Sequence, residues 1–170
     1  MQPVWPWAEV RQTPIQAVYD LLMPDESAFH VARITDIDPV ILYKILQLRM
    51  DVFIVEQDCA YADMDGRDVD PTTQHLWITD RDDVVSTIRI LHDRDVVEFG
   101  RIVTAKSARG RGLSRQLIEA AFGLVGNVEV WIGAQAQHEG WYESLGFVRS
   151  GPNYLEDDIV HLPMTSPAGR

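Results

Sequence analysis

Cysteine is almost absent. Cys59 is the single thiol in 170 residues, so no intrachain disulfide can form, and a cytosolic protein is the reading this favours. Long apolar runs are missing too, since none approaches the ~18 residues a membrane span needs. The first seven residues carry no basic head leading into an apolar core, so no signal peptide is legible. Internal repeats and low-complexity tracts are absent. Positive charge is scarce: 15 Lys and Arg against 26 Asp and Glu leave a net charge of −11 and a pI near 4.7. That balance argues against nucleic acid as a partner. What remains is ordinary for a globular chain: 46% hydrophobic and 24% charged residues, in a length that suits one domain with its own core.

One local absence is more informative. No Asp or Glu occurs from Phe99 to Ile118, yet Arg101, Lys106, Arg109, Arg111 and Arg115 all fall there, five of the 15 basic residues. Within the stretch lies Arg109-Gly110-Arg111-Gly112-Leu113-Ser114, at a strand-to-helix junction. Glycine lets a backbone approach a ligand closely, and the first amides of a helix have no internal partners. Together with the helix dipole and flanking guanidinium groups they suit a phosphate. A solvated basic helix face is the alternative. Two other phosphate loops are excluded: a dinucleotide fingerprint wants glycine where Arg115 stands, and there is no Gly-Lys-Ser/Thr.

The pattern along the chain mixes strands and helices. It predicts an extension over 1–28, with one short helix along Ile15, Val18, Tyr19 and Leu22, and a main domain over 29–170. Within the domain a strand is expected near 29–34. Asp38 is placed as an N-cap and Pro39 as the first residue of a helix with Ile41, Ile45, Leu48 and Val52 along one side. Residues 58–70 read as a long acidic loop. Strands 75–79 and 84–91 flank a polar turn, and a third covers 96–104. A helix over 113–125 ends at Gly126. A strand at 128–134, a helix near 137–144, and strands at 147–149 and 159–164 complete an α+β (α/β) class with a central, mixed, mostly antiparallel sheet.

Downstream lies Trp141-Tyr142-Glu143-Ser144-Leu145-Gly146-Phe147. A strand, Arg-x-x-Gly-x-small, a helix, a strand and Tyr-x-x-x-Gly-Phe together resemble the GNAT superfamily of CoA-dependent N-acyltransferases. The resemblance spans about 29–164. A narrower likeness, to the ElaA-like branch, is carried by Leu48-Arg49-x-x-Val52-Phe53-x-Val55-Glu56-Gln57 and by Cys59-x-Tyr61-x-Asp63-x-Asp65-Gly66. Gly133-Ala134-Gln135-Ala136 and Asp158-Ile159-Val160-His161 support it.

The resemblance implies an N-acetyltransferase that moves an acetyl group from acetyl-CoA to a small-molecule or peptide amine by direct attack in a ternary complex. No metal, nucleic acid or membrane is implied. The backbone of Ile102, Val103 and Thr104 is expected along pantetheine, and the amides of Arg109, Gly110, Arg111, Gly112, Leu113 and Ser114 around the pyrophosphate. Gln135 stands where many members carry Asn against the pantetheine arm. Tyr142 stands where the family places the acid for the departing thiolate. His161 and Glu98 are the candidate bases, and Arg49, Glu56 and Gln57 the expected border of the acceptor cleft, with a structural ion pair open as the alternative for Arg49. Asp63, Asp65, Asp68 and Asp70 suggest attraction of a cationic amine, without the ligand order of a calcium loop. Two other readings stand beside this one: an acyl-homoserine-lactone-synthase-like acyltransferase, which shares Arg-x-x-Val-Phe, and a sensor that binds acyl-CoA without turnover.

Overall fold

Asp38 starts a helix as expected. Its carboxylate accepts from the amides of Val40 at 2.8 Å and Ile41 at 3.3 Å, and Pro39 occupies the first turn, where its missing N–H costs nothing. In the computed structural model, which describes residues 27–93 and 96–168, helix α1 runs Pro39–Arg49 and continues as a wider π-helical segment, Met50–Glu56. The widening shows in Gln57 N–H, which reaches back five residues to Val52 O at 3.1 Å. The helix expected within 1–28 lies outside the described residues.

Strands β1 (Ser27–Ala32), β2 (Gln74–Asp80), β3 (Asp83–Asp93) and β4 (Val96–Thr104) form an antiparallel meander. Helix α2 (Leu113–Val125) carries the chain to β5 (Val130–Gln135), which runs parallel to β4. A short helix α3 (Glu139–Glu143) follows, then β6 (Val148–Arg149), β7 (Tyr154–Glu156) and β8 (Ile159–Ser166). The sheet order is β1-β2-β3-β4-β5-β8-β6, with β7 also on β8, so the sheet is mixed and mostly antiparallel.

The sheet separates two cores. On one face Leu117, Ile118 and Ala121 of α2 pack with Phe29, Leu76, Ile88, Phe99, Ile132 and Met164. On the other, Ile45, Leu48 and Val52 pack with Trp77, Val84 and Val103. Covered on both faces, β2 and β3 are buried at consecutive residues rather than at alternating ones, with His75, Ser86, Thr87 and Arg89 among the buried side chains.

Two more elements depart from the sequence reading. The helix expected over 137–144 is a tight turn, Ala136–His138, followed by the five residues of α3. Strand β7 is an addition: it pairs with β8 through the two-residue turn Asp157-Asp158, both left-handed with φ of 46° and 63°. Among the described residues no helix is long and apolar enough to cross a membrane.

Candidate active site

The cleft begins where two strands part. β4 and β5 share two register pairs, Val97↔Val130 and Glu98↔Trp131, and no further pairs beyond them. On its other edge β4 slips against β3, with Thr87 facing Val103 but Arg89 facing Gly100. One extra β4 residue is accommodated there, and Arg101 takes a left-handed φ of 51°. The parting leaves a cleft of about 880 Å³, bounded by 98–104 of β4, 131–133 and Gln135 of β5, the end of the π segment, the Arg109–Arg115 loop, α3 and the β7–β8 turn.

At one end the loop presents backbone. Gly110 and Gly112 have φ of 77° and 76°, a region that side chains resist, and a Cβ built on Gly112 meets only open space. No side chain caps α2, so its leading amides stay available to a ligand. A chain of hydroxyls braces the junction. Ser86 Oγ–H donates to Val103 O at 3.0 Å, which leaves Thr104 to donate to Ser86 at 2.8 Å and Ser114 to donate to Thr104 at 2.7 Å.

The arginines of the loop are partnered from elsewhere in the fold. Arg109 gives a two-pronged contact to Glu56, 2.7 and 2.8 Å, and its Nε reaches Thr104 O at 3.2 Å. The Arg109 hydrogen bonds draw the Glu56 carboxyl below its ordinary range. Arg115 reaches Ser144 Oγ at 2.9 Å. Arg111 corrects an expectation: its side chain turns from the cleft to Asp80 at 2.6 Å and Ser27 at 3.2 Å, leaving only its backbone at the loop.

Toward the other end stand the titratable groups. Tyr142, on α3, meets Trp141 and Phe147 edge-on, with centroids 4.8 and 5.9 Å apart, and burial pushes its phenol above the ordinary tyrosine range. Glu98 lies at the vertex of the split and accepts from Arg67 at 3.2 Å. His161, on β8, faces Gln135 on β5 and Tyr154 on β7. Its Nδ1–H donates to Ile159 O at 3.0 Å, so in the neutral ring Nε2 carries the lone pair. The ring stacks on Tyr154 at 5.8 Å. Tyr154 can lean over β5 because residue 133 is glycine: a Cβ there would stand 2.6 Å from the Tyr154 hydroxyl. Gln135 Nε2–H donates to Gln57 Oε1 at 3.0 Å, tying β5 to the end of the π segment.

For Arg49 the structure takes the alternative, a structural ion pair with the acidic loop, and not the cleft border. Arg49 is 1% exposed and does not line the cleft. Its Nε donates to Asp63 at 2.8 Å, and its Nη1 and Nη2 donate to Asp68 at 2.7 and 3.2 Å. The acidic loop is thus bound to buried arginines. Arg89 of β3 grips Asp65 at 2.8 and 2.7 Å, and Arg101 Nε stands 2.8 Å from Asp63 Oδ1. Asp63, Asp65 and Asp68 are counter-ions, not an open lure for an amine. Cys59 is buried and donates to Asp157 O at 3.2 Å. Burial and the nearby carboxylates push its thiol up, away from the thiolate a nucleophile needs. The sequence assigns none of these roles to Tyr61, Arg89, Arg101 and Tyr154; its readable signal is two arginines inside apolar stretches beside an aspartate-rich loop.

Known proteins share this architecture. A family model described as "Acetyltransferase (GNAT) domain" matches residues 45–167. UPF0039 protein Rv2851c of Mycobacterium tuberculosis is 41% identical over 137 residues, 78% of this chain and 88% of the relative. Protein ElaA of Escherichia coli is 36% identical over 130 residues, 72% of this chain and 85% of the relative. The crystal structure of Escherichia coli ElaA superposes with a TM-score of 0.76, 31% identity, and coverage of 82% of this chain and 99% of that one. An acyl-CoA N-acyltransferase from Pseudomonas aeruginosa gives 0.76, 34% identity and the same coverages, 82% and 99%. The acyl-homoserine-lactone synthase LasI, at 16% identity and a TM-score of 0.67 over 84% of this chain and 90% of its own, shares the fold alone. With its motifs, its split sheet and these relatives in agreement, the chain belongs to the GNAT acetyltransferase family, beside ElaA.

Proposed function

We propose that this protein is an N-acetyltransferase that uses acetyl-CoA, working in the cytoplasm on a small-molecule or peptide amine. The observation that carries the reading is the parted β4–β5 cleft, with an uncapped helix N-terminus at one end and Glu98, Tyr142 and His161 along its walls. The residues fit CoA. Ile102, Val103 and Thr104 would offer backbone to the pantetheine arm, as a strand offers itself to a neighbour. Gln135 would meet that arm from β5. The amides of 109–114 would hold the pyrophosphate, and Arg109 would exchange Glu56 for phosphate.

The thioester supplies an activated acyl carbon when bound. The acceptor amine must give up a proton, since a lysine-like amine has a pKa near ~10.4. His161 Nε2 takes it, with Glu98 as the alternative base. A backbone N–H of β4 holds the charge that develops on the acyl oxygen. The C–N bond forms, the C–S bond breaks, Tyr142 gives its hydroxyl proton to the departing sulfur, and the second proton lost from nitrogen restores the phenol. Gln57 borders the acceptor side, whereas Glu56, expected there too, stands beside Arg109 at the pyrophosphate end.

The test is thiol release from acetyl-CoA with a panel of primary amines, run beside calorimetry with CoA. Release that requires an amine, with product acetylated on nitrogen, is expected. Failure to bind CoA overturns the reading, and binding without turnover on any amine makes the protein a sensor.

A further inference from the structure

We infer that Arg101 is a positioning residue: pinned by the acidic loop, it holds the β4 bulge in the shape that opens the acyl-CoA cleft. This rests on the reading of that cleft given above. Non-glycine residues with positive φ are Asp58, Arg81, Arg101, Asp157 and Asp158 among the described residues, and Arg101 alone of these lies within a strand. A side chain resists that conformation, which persists where surrounding contacts over-determine it.

Contacts of that kind surround Arg101. Arg101 Nε lies 2.8 Å from Asp63 Oδ1, and Nη2 reaches Asp63 O and Asp65 Oδ2, each at 3.2 Å. Its guanidinium carbon lies 5.6 Å from the Tyr61 ring centre, and the Tyr61 hydroxyl donates to Asp63 at 2.9 Å. The two aspartates are anchored in turn. Asp63 is held from α1 by Arg49, and Asp65 from β3 by Arg89, whose Cα partner across the ladder is Gly100. The loop is therefore clamped to α1 and to β3, and from these two supports it grips β4 at the residue where the register slips. Ile102, Val103 and Thr104 follow directly, and their course along the cleft is set by the turn at Arg101.

The pin can be removed without stranding a charge, because Asp63 keeps Arg49 and Asp65 keeps Arg89. In Arg101→Gly the left-handed φ remains accessible, but nothing holds it. The experiment compares wild type and Arg101→Gly by thermal unfolding, by calorimetry with CoA, and by amide hydrogen exchange at residues 102–104. Expected are a Tm within a few degrees of wild type, CoA affinity at least about tenfold weaker, and faster exchange confined to those amides. The tenfold loss corresponds to about 1.4 kcal/mol. Arg101→Gln, which keeps length without charge, is measured alongside in case the glycine variant does not fold. Affinity within twofold and unaltered exchange at 102–104, in either folded variant, overturns the assignment. If wild type itself does not bind CoA, the reading of the cleft fails instead, and exchange at 102–104, which needs no CoA, still decides the pin.

Discussion

A phenol packed between Trp141 and Phe147 keeps its proton. Burial raises Tyr142 above the ordinary tyrosine range, so across neutral pH it stands ready as a donor, the form a departing thiolate requires. Tyr142→Phe removes the hydroxyl and leaves the edge-on ring contacts in place. In steady-state kinetics kcat should fall by ~10²–10⁴-fold, the usual worth of a positioned acid, while CoA affinity by calorimetry stays unchanged. A kcat within twofold of wild type would reduce Tyr142 to a packing residue. Much at this scale was legible: Tyr142, His161, Glu98, Gln57 and Gln135 line the same cleft. Arg49 was not, because an arginine in an apolar run looks the same whether it faces a ligand or a buried aspartate.

The N-terminus of α2 is the element on which the proposed pyrophosphate site depends. Gly112 sits at its head with φ of 76°, and space beyond its missing side chain is open to the cleft. Gly112→Val places a branched side chain in that space and strains the turn, at a cost of roughly 1–2 kcal/mol for a left-handed residue. Calorimetry should show CoA affinity lost by tenfold or more in a variant that still unfolds cooperatively; unchanged affinity would remove the loop from the binding site. Elements announced by local chemistry were legible in the same way. Asp38-Pro39 marked the start of α1, and Gly126, at φ 72°, the end of α2. The π segment and β7 were not, for want of a local signal: three residues make too short an alternation, and a π turn has the composition of an α turn.

At the scale of the whole molecule the buried charges set the response to acid. Burial opposes ionisation of Asp65 and Asp68, but the hydrogen bonds from Arg89 and Arg49 overcome it and hold both carboxyls below their ordinary range. Burial also lowers His75 and His92, which stay neutral in the fold. In all four the folded pKa lies below the unfolded one, so the unfolded state binds more protons and stability falls with pH. The histidine contribution is lost as pH falls below ~6.5, and the carboxylate contribution as it falls below ~3.9. Calorimetric unfolding should show Tm declining gently from pH 7 to 5 and steeply below 4. A Tm constant from pH 7 to 5 would contradict buried, neutral histidines.

The sequence by itself determined the family, the order of most strands and helices, the loop at 109–114 and the tyrosine opposite it. Each of these rests on short-range chemistry: a cap two residues from the amide it satisfies, a glycine at the turn that needs it, an apolar period matched to a strand or helix. Only the tertiary structure decided which charge meets which. Arg101 finds Asp63 across 38 positions of chain, Arg109 finds Glu56 across 53, and Cys59 reaches Asp157 across 98. Ion pairs and hydrogen bonds act over a few ångströms, so the partner is chosen by distance in the folded state, and a sequence supplies the candidates without the distances.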